Sequence, residues 1–399
     1  MGYLMQQKSC IFMGEIQTGP LFFMRLENAF LLSQNGDIIE IISQYDNLEN
    51  DLIAWCRFKG ELFLKKIPLH NENNSSFAYI MQKESPTRFA TFDPNSMLSP
   101  PHQGLAPSGV SIELASPQYH FPLNNKNEIY AGNMEQLYEE AKKAQWNATT
   151  DIQWSEIPTF EPKLEFAIAQ IMTYLTENEF SALYIPSRFL AQISPFFTAA
   201  PLVLSSIIGD EGRHIESFIK RANATGLGVQ YSTLTTQQSL YSLWEEKDYF
   251  KSSFLLHIMG EGTFIDLLKF LENCFENLGD LQSAKLLNLA RRDEIRHVAY
   301  GMNHIKNAIA QNPTKIEILK EAVFRRKNYL DNQSDESSLL LESLAILYAK
   351  EEKKISHGFE AVVNLKQKME KNRTKRLIEC GIDEELAREL SRSHTPNFM

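Results

Sequence analysis

The sequence predicts a mainly α-helical protein, in which a four-helix bundle with additional helices follows a small two-layer α+β domain. Three observations lead to this prediction. From about residue 131 to the C-terminus, apolar residues recur at helical spacing and clear strand patterns are missing. Residues 8–83 instead alternate short apolar runs with helical patterns. Finally, one pentapeptide pattern occurs twice within the helical region, at 210–214 and 293–297.

The N-terminal region predicts the element order βαβαββ. Strand-like apolar runs occupy 10–15, 37–45, 61–67 and 76–83, and helical spacing occupies 20–34 and 47–58. We therefore expect a small α+β domain over residues 1–83. Residues 84–130 are rich in Pro, Ser and Asn, which predicts a long linker.

The remaining residues, 131–399, are predicted to form the helical domain. Apolar periodicity and helix-ending residues predict helices at roughly 133–146, 161–192, 197–223, 235–277, 281–310, 314–330, 335–365 and 371–392.

Composition and charge narrow the class of protein. The 399 residues carry a formal net charge of −10, which disfavours broad binding to nucleic acids or anionic membranes. The most apolar stretch, 194–211, is too short and too polar to cross a bilayer, and residues 1–15 lack a secretory signal. The four cysteines are far apart without a CxxC pair, which predicts free thiols in a reducing compartment. A cytoplasmic location is expected.

The repeated pentapeptide has the pattern Asp-Glu-x-Arg-His. It reads Asp210-Glu211-Gly-Arg-His214 in the first copy and Asp293-Glu294-Ile-Arg-His297 in the second. Residues at i and i+3 share one face of a helix, so Glu and His of each copy can bind one ion or two adjacent ions. One copy alone would be weak evidence, because this spacing is common on solvated helices. Two near-copies favour a metal site.

Two further carboxylates lie upstream at matching distances. Glu179 precedes Glu211 by 32 residues, and Glu261 precedes Glu294 by 33. Helix-ending residues lie midway in both intervals, at 194–195 and at 277–279. Antiparallel helices that turn there bring each lone Glu to the height of its partner motif. The sequence therefore predicts one metal centre, whose six ligands are Glu179, Glu211, His214, Glu261, Glu294 and His297.

The mixture of carboxylates and imidazoles suits iron and manganese, and carboxylates can bridge two such ions. Four glutamates would balance the charge of two divalent ions. Without metal, four clustered carboxylates inside a bundle would repel one another strongly.

Two roles fit Asp210 and Asp293 equally. Each can accept a hydrogen bond from a ligating imidazole and so fix its tautomer, or each can pair with Arg213 or Arg296 at the bundle surface.

Two features beside Glu261 also leave alternatives open. His257, one turn earlier, is either an extra nitrogen ligand or a core histidine, and the second role is the more common one. Gly260 and Gly262 either leave space for O2 or substrate, or allow close helix packing.

Residues from about 160 to 310 resemble the ferritin-like di-iron carboxylate superfamily. This superfamily includes ribonucleotide reductase small subunits, bacterial multicomponent monooxygenases, acyl-carrier desaturases and arylamine N-oxygenases. Both Glu-x-x-His motifs and both lone glutamates match its ligand pattern, so the resemblance implies two bound Fe ions with O2 as co-substrate. A di-manganese or mixed Mn/Fe pair fits the same ligands.

Two departures from that superfamily narrow the choice. In the reductase small subunit a radical-forming Tyr follows the first ligand His by four positions, where this chain has Phe218. The extra His of the N-oxygenases, one turn before the last motif, is replaced by Ala290. A stable tyrosyl radical at 218 is therefore not expected.

Residues 8–83 resemble the TusA-like sulfur-carrier family through GPLFFMRLENAF, NGDIIEIISQYD and NDLIAWCRFKGELF. The acting cysteine of that family opens the first helix in a Cys-Pro-x-Pro motif. Gly19, followed by Pro20, holds that position here, so the resemblance does not imply sulfur transfer. Cys56, on the second predicted helix, is expected to be buried.

Together these features predict an O2-dependent di-iron oxidase or oxygenase that acts on a small organic substrate. No flavin, haem or iron–sulfur motif is evident, so an external reductase or ferredoxin is expected to supply electrons. A homodimer is the commonest assembly. The alternatives are an iron-oxidising protein without an organic substrate and a metal-stabilised binding or scaffold module.

Overall fold

The computed structural model describes residues 8–71, 74–85, 89–113, 116–331 and 338–394. The chain divides into two compact units. One comprises Met1–Asp93 with Gly109–Pro117, and the other comprises Pro94–Ser108 with Gln118–Met399. The domain boundaries predicted from sequence, at 83 and 130, remain a proposal.

The first unit has the predicted order βαβαββ. Its elements are β1 (Lys8–Gly14), α1 (Pro20–Leu31), β2 (Ile38–Ser43), α2 (Glu49–Lys59), β3 (Leu62–Asn71) and β4 (Asn74–Gln82). The sheet order is β1-β2-β4-β3. Strands β1 and β2 are parallel, and the other two pairs are antiparallel. The small α+β fold is confirmed.

Apolar faces of the two helices and the sheet form one core in this unit. Phe22 and Leu26 of α1 and Trp55 of α2 pack with Ile39 and Ile41 of β2. Gly19 precedes α1 directly, and Pro20 is its first residue. A short antiparallel pair, β5 (Phe89–Thr91) and β6 (Ser111–Glu113), lies within the segment predicted as a linker.

The second unit is helical. Its elements are α3 (Lys126–Ile129), α4 (Met134–Lys143), α5 (Pro162–Leu190), α6 (Ala199–Asn223), α7 (Leu234–Trp244), α8 (Tyr249–Ser253), a π-helical segment (Phe254–Glu261), α9 (Gly262–Leu278), α10 (Leu281–Gln311), α11 (Lys315–Asp331), α12 (Ser338–Ala349), α13 (Ile355–Glu379) and α14 (Glu384–Ser393).

Four long helical stretches form the bundle. Helix α5 packs along α6, the π-helical segment and α9 pack along α10, and α6 also contacts α10. The two predicted turns are present. Helix α6 begins after Ser194-Pro195, and Gly279 ends α9 with a left-handed φ of 80°. Asp280 then caps α10, because its side chain accepts a hydrogen bond from the backbone N–H of Ser283.

The single helix predicted over 235–277 is wrong. Helix α7 ends at Trp244, and the Asp248 side chain caps a new helix by accepting a hydrogen bond from the Lys251 backbone N–H. The next eight residues, Phe254–Glu261, then adopt the wider π-helical turn before α9 begins. The sequence pattern shows neither the helix break nor the π-helical turn, because every residue of 249–264 except Lys251 is buried.

The division between the last predicted helices is also wrong. The chain breaks near Lys350, which has a φ of 62°, and near Gly381, which has a φ of 97°. Between these points α13 continues through 365–371, where a break was predicted. The backbone turns at the charged run 350–354. Residues 335–337 of the predicted helix lie outside the described residues.

Within the described residues, no helix combines the length and apolarity needed to cross a membrane. All four cysteines have free thiols, with Cys10 exposed and Cys56, Cys274 and Cys380 buried.

Candidate metal centre

The six predicted ligands come together in the interior of the bundle. Helix α5 provides Glu179, α6 provides Glu211 and His214, the last π-helical residue is Glu261, and α10 provides Glu294 and His297. Each side chain is at most 3% exposed. The i and i+3 spacing of each repeated motif therefore points its Glu and His inward, as the sequence predicts.

Two groups of possible ligand atoms form within this cluster. Glu179, Glu211, His214 and Glu294 make one group, and Glu211, Glu261, Glu294 and His297 make the other. One ligand atom from each residue lies within 4.8 Å of the others in its group. Glu211 and Glu294 belong to both groups, so their carboxylates are placed to bridge two ions. Glu179 and Glu261 each belong to one group only.

Each imidazole binds the aspartate of the opposite motif. His214 Nε2 lies 3.2 Å from Asp293 Oδ2, and His297 Nε2 lies 3.2 Å from Asp210 Oδ2. An ionised carboxylate only accepts hydrogen bonds, so each Nε2 carries the proton and donates it. In the neutral ring, each Nδ1 then has a lone pair that faces the glutamates. This is the tautomer that a metal ligand requires.

The two aspartates also pair with the arginines of the repeats. Arg213 donates to Asp210 and, at 3.2 Å, to Asp293. Arg296 donates to Asp293 and, at 3.1 Å, to Asp210. Each aspartate therefore both accepts a hydrogen bond from an imidazole and pairs with arginines, so the two roles that the sequence left open occur together. The Arg213–Asp293 and Arg296–Asp210 pairs join α6 to α10.

Trp146 extends this network, and the sequence reasoning missed it. Its indole Nε1–H donates to Asp293 Oδ2 at 2.7 Å, and its ring stacks near His214. The residue follows the short helix α4, far from both motifs in sequence. No spacing rule links it to them, so only tertiary packing reveals the contact.

His257 forms a hydrogen bond with Glu261, one of the six predicted metal ligands. Its Nδ1 lies 2.7 Å from Glu261 Oε2, and His257 belongs to neither group of possible ligand atoms among the described residues. Gly301 on α10 makes room for it, because a Cβ at Gly301 would lie 2.4 Å from the His257 Cβ. This geometry favours a histidine that orients Glu261. At Gly262 a Cβ would lie 2.6 Å from Arg376 Nε, so close packing accounts for that glycine.

The chemistry of the cluster fits a pair of metal ions. Eight of its buried atoms have no hydrogen-bond partner within the described part of the chain: Glu179 Oε1, Glu211 Oε1 and Oε2, His214 Nδ1, Glu261 Oε1, Glu294 Oε1 and Oε2, and His297 Nδ1. All eight are carboxylate or imidazole acceptors, which rarely stay unpartnered in a protein interior. His297 Nδ1 lies only 2.9 Å from Glu211 Oε1. Lone pairs that face each other this closely require a cation or protons between them.

Without metal, the cluster retains protons. Burial first, and then the charges of Glu211 and Glu294, raise the pKa of Glu179 well above its ordinary value. Burial lowers the pKa of His214, but hydrogen bonds to Asp293 and the facing glutamates outweigh it and raise that pKa. For Glu211, burial opposes ionisation, yet the charge of His297 and hydrogen bonds from both imidazoles hold its pKa below the usual range.

At the position of the radical-forming Tyr of the reductase small subunit, this chain places a buried Phe. Phe218 is fully buried, and its ring centroid lies 6.3 Å from that of His214. Tyr300 contacts the His257 ring edge-to-face at 5.5 Å, and its hydroxyl bonds that of Tyr249. Tyr184, by contrast, is half exposed.

Solved structures share this fold. A mutant of an R2-like ligand-binding oxidase with an aerobically reconstituted Mn/Fe cofactor is 15% identical, with a TM-score of 0.50 over 62% of this chain and 93% of that chain. Another mutant of that oxidase, with an aerobically reconstituted Fe/Fe cofactor, is 15% identical and covers 64% of this chain and 92% of its own, with a TM-score of 0.49. The first likeness establishes the ferritin-like fold.

Comparison with curated proteins gives no match. A family model does match, over residues 132–333, and its description is "Protein of unknown function (DUF455)". The match begins just before α4 and ends just after α11, so it contains all six residues of the cluster. It also spans half of the chain. The chain therefore belongs to the DUF455 family.

Proposed function

We propose that this protein is a dinuclear metal oxidase or oxygenase that uses O2 to oxidise a small organic substrate. The observation that carries the proposal is the pair of ligand groups that share Glu211 and Glu294. The unpartnered oxygens and nitrogens of these groups fit two cations. The ferritin-like neighbours, which carry Mn/Fe or Fe/Fe cofactors, support the same assignment.

The proposed ligands divide into one pair of residues for each ion and a third pair that both ions would share. Glu179 and His214 would hold one ion, Glu261 and His297 would hold the other, and Glu211 and Glu294 would bridge them. Oxygen and imidazole ligands suit iron and manganese alike. Two iron ions, or a mixed Mn/Fe pair, would supply the one-electron chemistry that activates O2.

The residues around the ligands prepare the site for these ions. Four glutamates balance the charge of two divalent ions, so the loaded centre is electrically close to neutral in a buried position. Asp293 and Asp210 hold the imidazole protons on Nε2, which leaves Nδ1 free to bind metal. Buried apolar side chains such as Phe218 and Ile207 keep bulk water away.

An external donor, a reductase or a ferredoxin, would supply the electrons. Trp146 offers a hydrogen-bonded path towards the centre, since its indole N–H donates to Asp293, which accepts from His214. The substrate would be a small molecule, and a homodimer would be the simplest assembly.

A single-turnover experiment tests the proposal. Anaerobic protein is loaded with Fe(II), washed free of excess metal and mixed with O2-containing buffer, while O2 uptake and the optical spectrum are recorded. We expect rapid O2 uptake in proportion to bound iron and a ferric absorption that a chemical reductant reverses. The control is Glu216→Gln, because Glu216 is a half-exposed side chain on the same helix as Glu211.

Three results would contradict the proposal. Absence of O2 uptake by fully loaded protein would exclude an O2-activating centre. Continued oxidation of many added Fe(II) ions per chain would instead identify an iron-oxidising protein. Loss of folded structure on metal removal, without any O2 reaction, would indicate a structural metal site.

A further inference from the structure

Three arginines and a histidine lie close together in the helical unit. Arg326 lies on α11, Arg373 and Arg376 lie on α13, and His394 directly follows α14. We propose that this arginine cluster binds a dianionic oxyanion, the phosphate group of a phosphorylated substrate. The assignment of that group to a substrate rests on the proposed function, whereas the binding site itself does not.

The first reason is a buried positive charge without a carboxylate. Arg373 is 6% exposed. It donates to Thr263 Oγ1 at 3.3 and 3.2 Å and to the Ser391 carbonyl at 2.7 Å. Among residues the structure describes, no carboxylate forms an ion pair with Arg373 or Arg376. Buried charges are normally paired, and an unpaired one is costly.

Another buried arginine of the same unit shows the ordinary arrangement. Arg221 is 1% exposed, and its guanidinium binds Asp280 Oδ2 at 2.9 Å and the Ser283 hydroxyl. The fold therefore supplies a carboxylate to the buried guanidinium of Arg221. On α13, by contrast, Arg373 donates only to a hydroxyl and a carbonyl, and two nitrogens of Arg376 have no partner among the described residues. This contrast points to an anion that the part of the chain described by the structure does not provide.

The second reason is an unused hydrogen-bonding edge. Arg376 Nε and Nη2 are both buried and have no partner among the described residues. Together they form the guanidinium edge that binds two oxygens of a phosphate or carboxylate side by side. Nε2 of His394, which is 8% exposed, and the Tyr174 hydroxyl are likewise buried and unpartnered.

The local electrostatics agree with this geometry. Burial first, and then the charges of Arg376 and Arg326, lower the pKa of Arg373 to about 9, although Glu370 and Asp266 act in the opposite direction. Asp266 is engaged elsewhere, because it accepts two hydrogen bonds from the Asn372 amide. A bound dianion would relieve the mutual repulsion of the guanidinium groups. A monoanionic carboxylate would balance only part of it.

The arginine cluster packs against the first turn of α9, which begins directly after Glu261. Gly262 and Thr263, which meet Arg376 and Arg373, follow Glu261 directly in sequence. On the other side, Arg326 and Ser242 help to line a groove of about 240 Å³ between α7 and α11. A substrate whose phosphate reached Arg326 through this groove would lie next to the helix that carries Glu261.

Calorimetric titration with inorganic phosphate tests the proposal. Metal-loaded full-length protein, its Arg376→Met variant and an Arg388→Met control are compared, because Arg388 is an exposed arginine paired with Glu384 on α14. We expect one phosphate per chain for the parent and the control, and about tenfold weaker binding or more for Arg376→Met. Arg376→Lys keeps the charge but loses the two-nitrogen edge, so its affinity should be intermediate.

Thermal unfolding separates anion binding from a purely structural role. In phosphate-free buffer, Arg376→Met should unfold at the same or a higher temperature than the parent, because a partly buried charge without an ion-pair partner among the described residues has been removed. Added phosphate should stabilise the parent but not the variant. A variant that is less stable in both buffers, or phosphate affinities that do not differ, would overturn the proposal. Equal binding of acetate would overturn the dianion assignment.

Metal content measured in the same samples keeps the two proposals separate. Two bound metals without an arginine-dependent phosphate effect would overturn the anion site alone. Arginine-dependent phosphate binding without bound metals would leave the anion site standing and overturn the proposed function.

Discussion

His214 and His297 each place one ring nitrogen on an aspartate and the other among carboxylate oxygens. The aspartate comes from the opposite motif in both cases. Each Asp-Glu-x-Arg-His copy therefore contributes two candidate ligands to the cluster, and its Asp contacts the His of the other copy. This exchange gives the Asp of each pentapeptide a contact that depends on the presence of the other copy.

The shared position of Glu211 leads to the first prediction. Glu211→Gln removes a charge from both ligand groups with little change in shape, so the protein should lose tight binding at both metal positions. Glu179→Gln affects one group only and should leave about one metal per chain. Glu216→Gln should bind metal like the parent. The measurement is metal per chain after desalting, and equal metal content in all three variants would contradict the ligand assignment.

The aspartate contacts lead to the second prediction. Asp293→Asn weakens the hold on the His214 Nε2 proton and removes the charge that Arg296 and Trp146 bind. Metal affinity should fall by about 10- to 100-fold, the usual effect of losing a group that orients a ligand. Competition with a coloured chelator measures this. Asp331→Asn, at an exposed pair with Lys327, is the control. An unchanged affinity would mean that the crossed contacts serve helix packing alone.

At the scale of elements, the bundle could be predicted because its signals are local. Gly279 ends α9 and Asp280 caps α10 through interactions within a few residues, and Ser194-Pro195 marks the other turn in the same way. The π-helical segment could not be predicted. Within it, His257 packs against Gly301, which lies 44 residues away in sequence, so this contact leaves no local signal. The contact of Trp146 with Asp293 was hidden for the same reason.

The contact between α10 and the π-helical segment leads to the third prediction. Gly301→Ala would place a Cβ 2.4 Å from the His257 Cβ, so the two helical elements must separate. Overpacking of this kind lowers the free energy of unfolding by about 1–3 kcal/mol, and Glu261 should shift with His257. At Gly209 on α6 a Cβ meets nothing within 4 Å, so Gly209→Ala should stabilise by about 0.5–1 kcal/mol. Chemical denaturation measures both, and equal effects would contradict the packing argument.

At the scale of the whole molecule, the buried cluster couples metal loading to protons. The pKa values of Glu179, Glu261, His214 and His297 are all raised in the metal-free protein. The folded metal-free chain therefore holds protons that the unfolded chain has already released. Metal ions must displace them.

This coupling gives the fourth prediction. A group whose pKa is higher in the folded chain than in the unfolded chain stabilises the fold fully at pH values below its unfolded-state pKa. This stabilisation is lost as the pH rises through its folded-state pKa. The stability of metal-free protein should therefore fall as pH rises above the ordinary pKa values of Glu and His. Loaded protein should lack this decline, and loading should release protons into a weak buffer. Denaturation of both forms across pH, with a pH indicator during loading, measures the effect. Parallel pH profiles without proton release would contradict it.

The count of metal ions bound per chain tests the central claim most directly. Metal-free protein is titrated anaerobically with Fe(II), and bound iron is determined after removal of the free metal. Two ligand groups that share Glu211 and Glu294 predict saturation at two ions per chain, with both ions lost in Glu211→Gln. Saturation at one ion, or no tight binding of iron or manganese by the parent protein, would contradict the dinuclear centre.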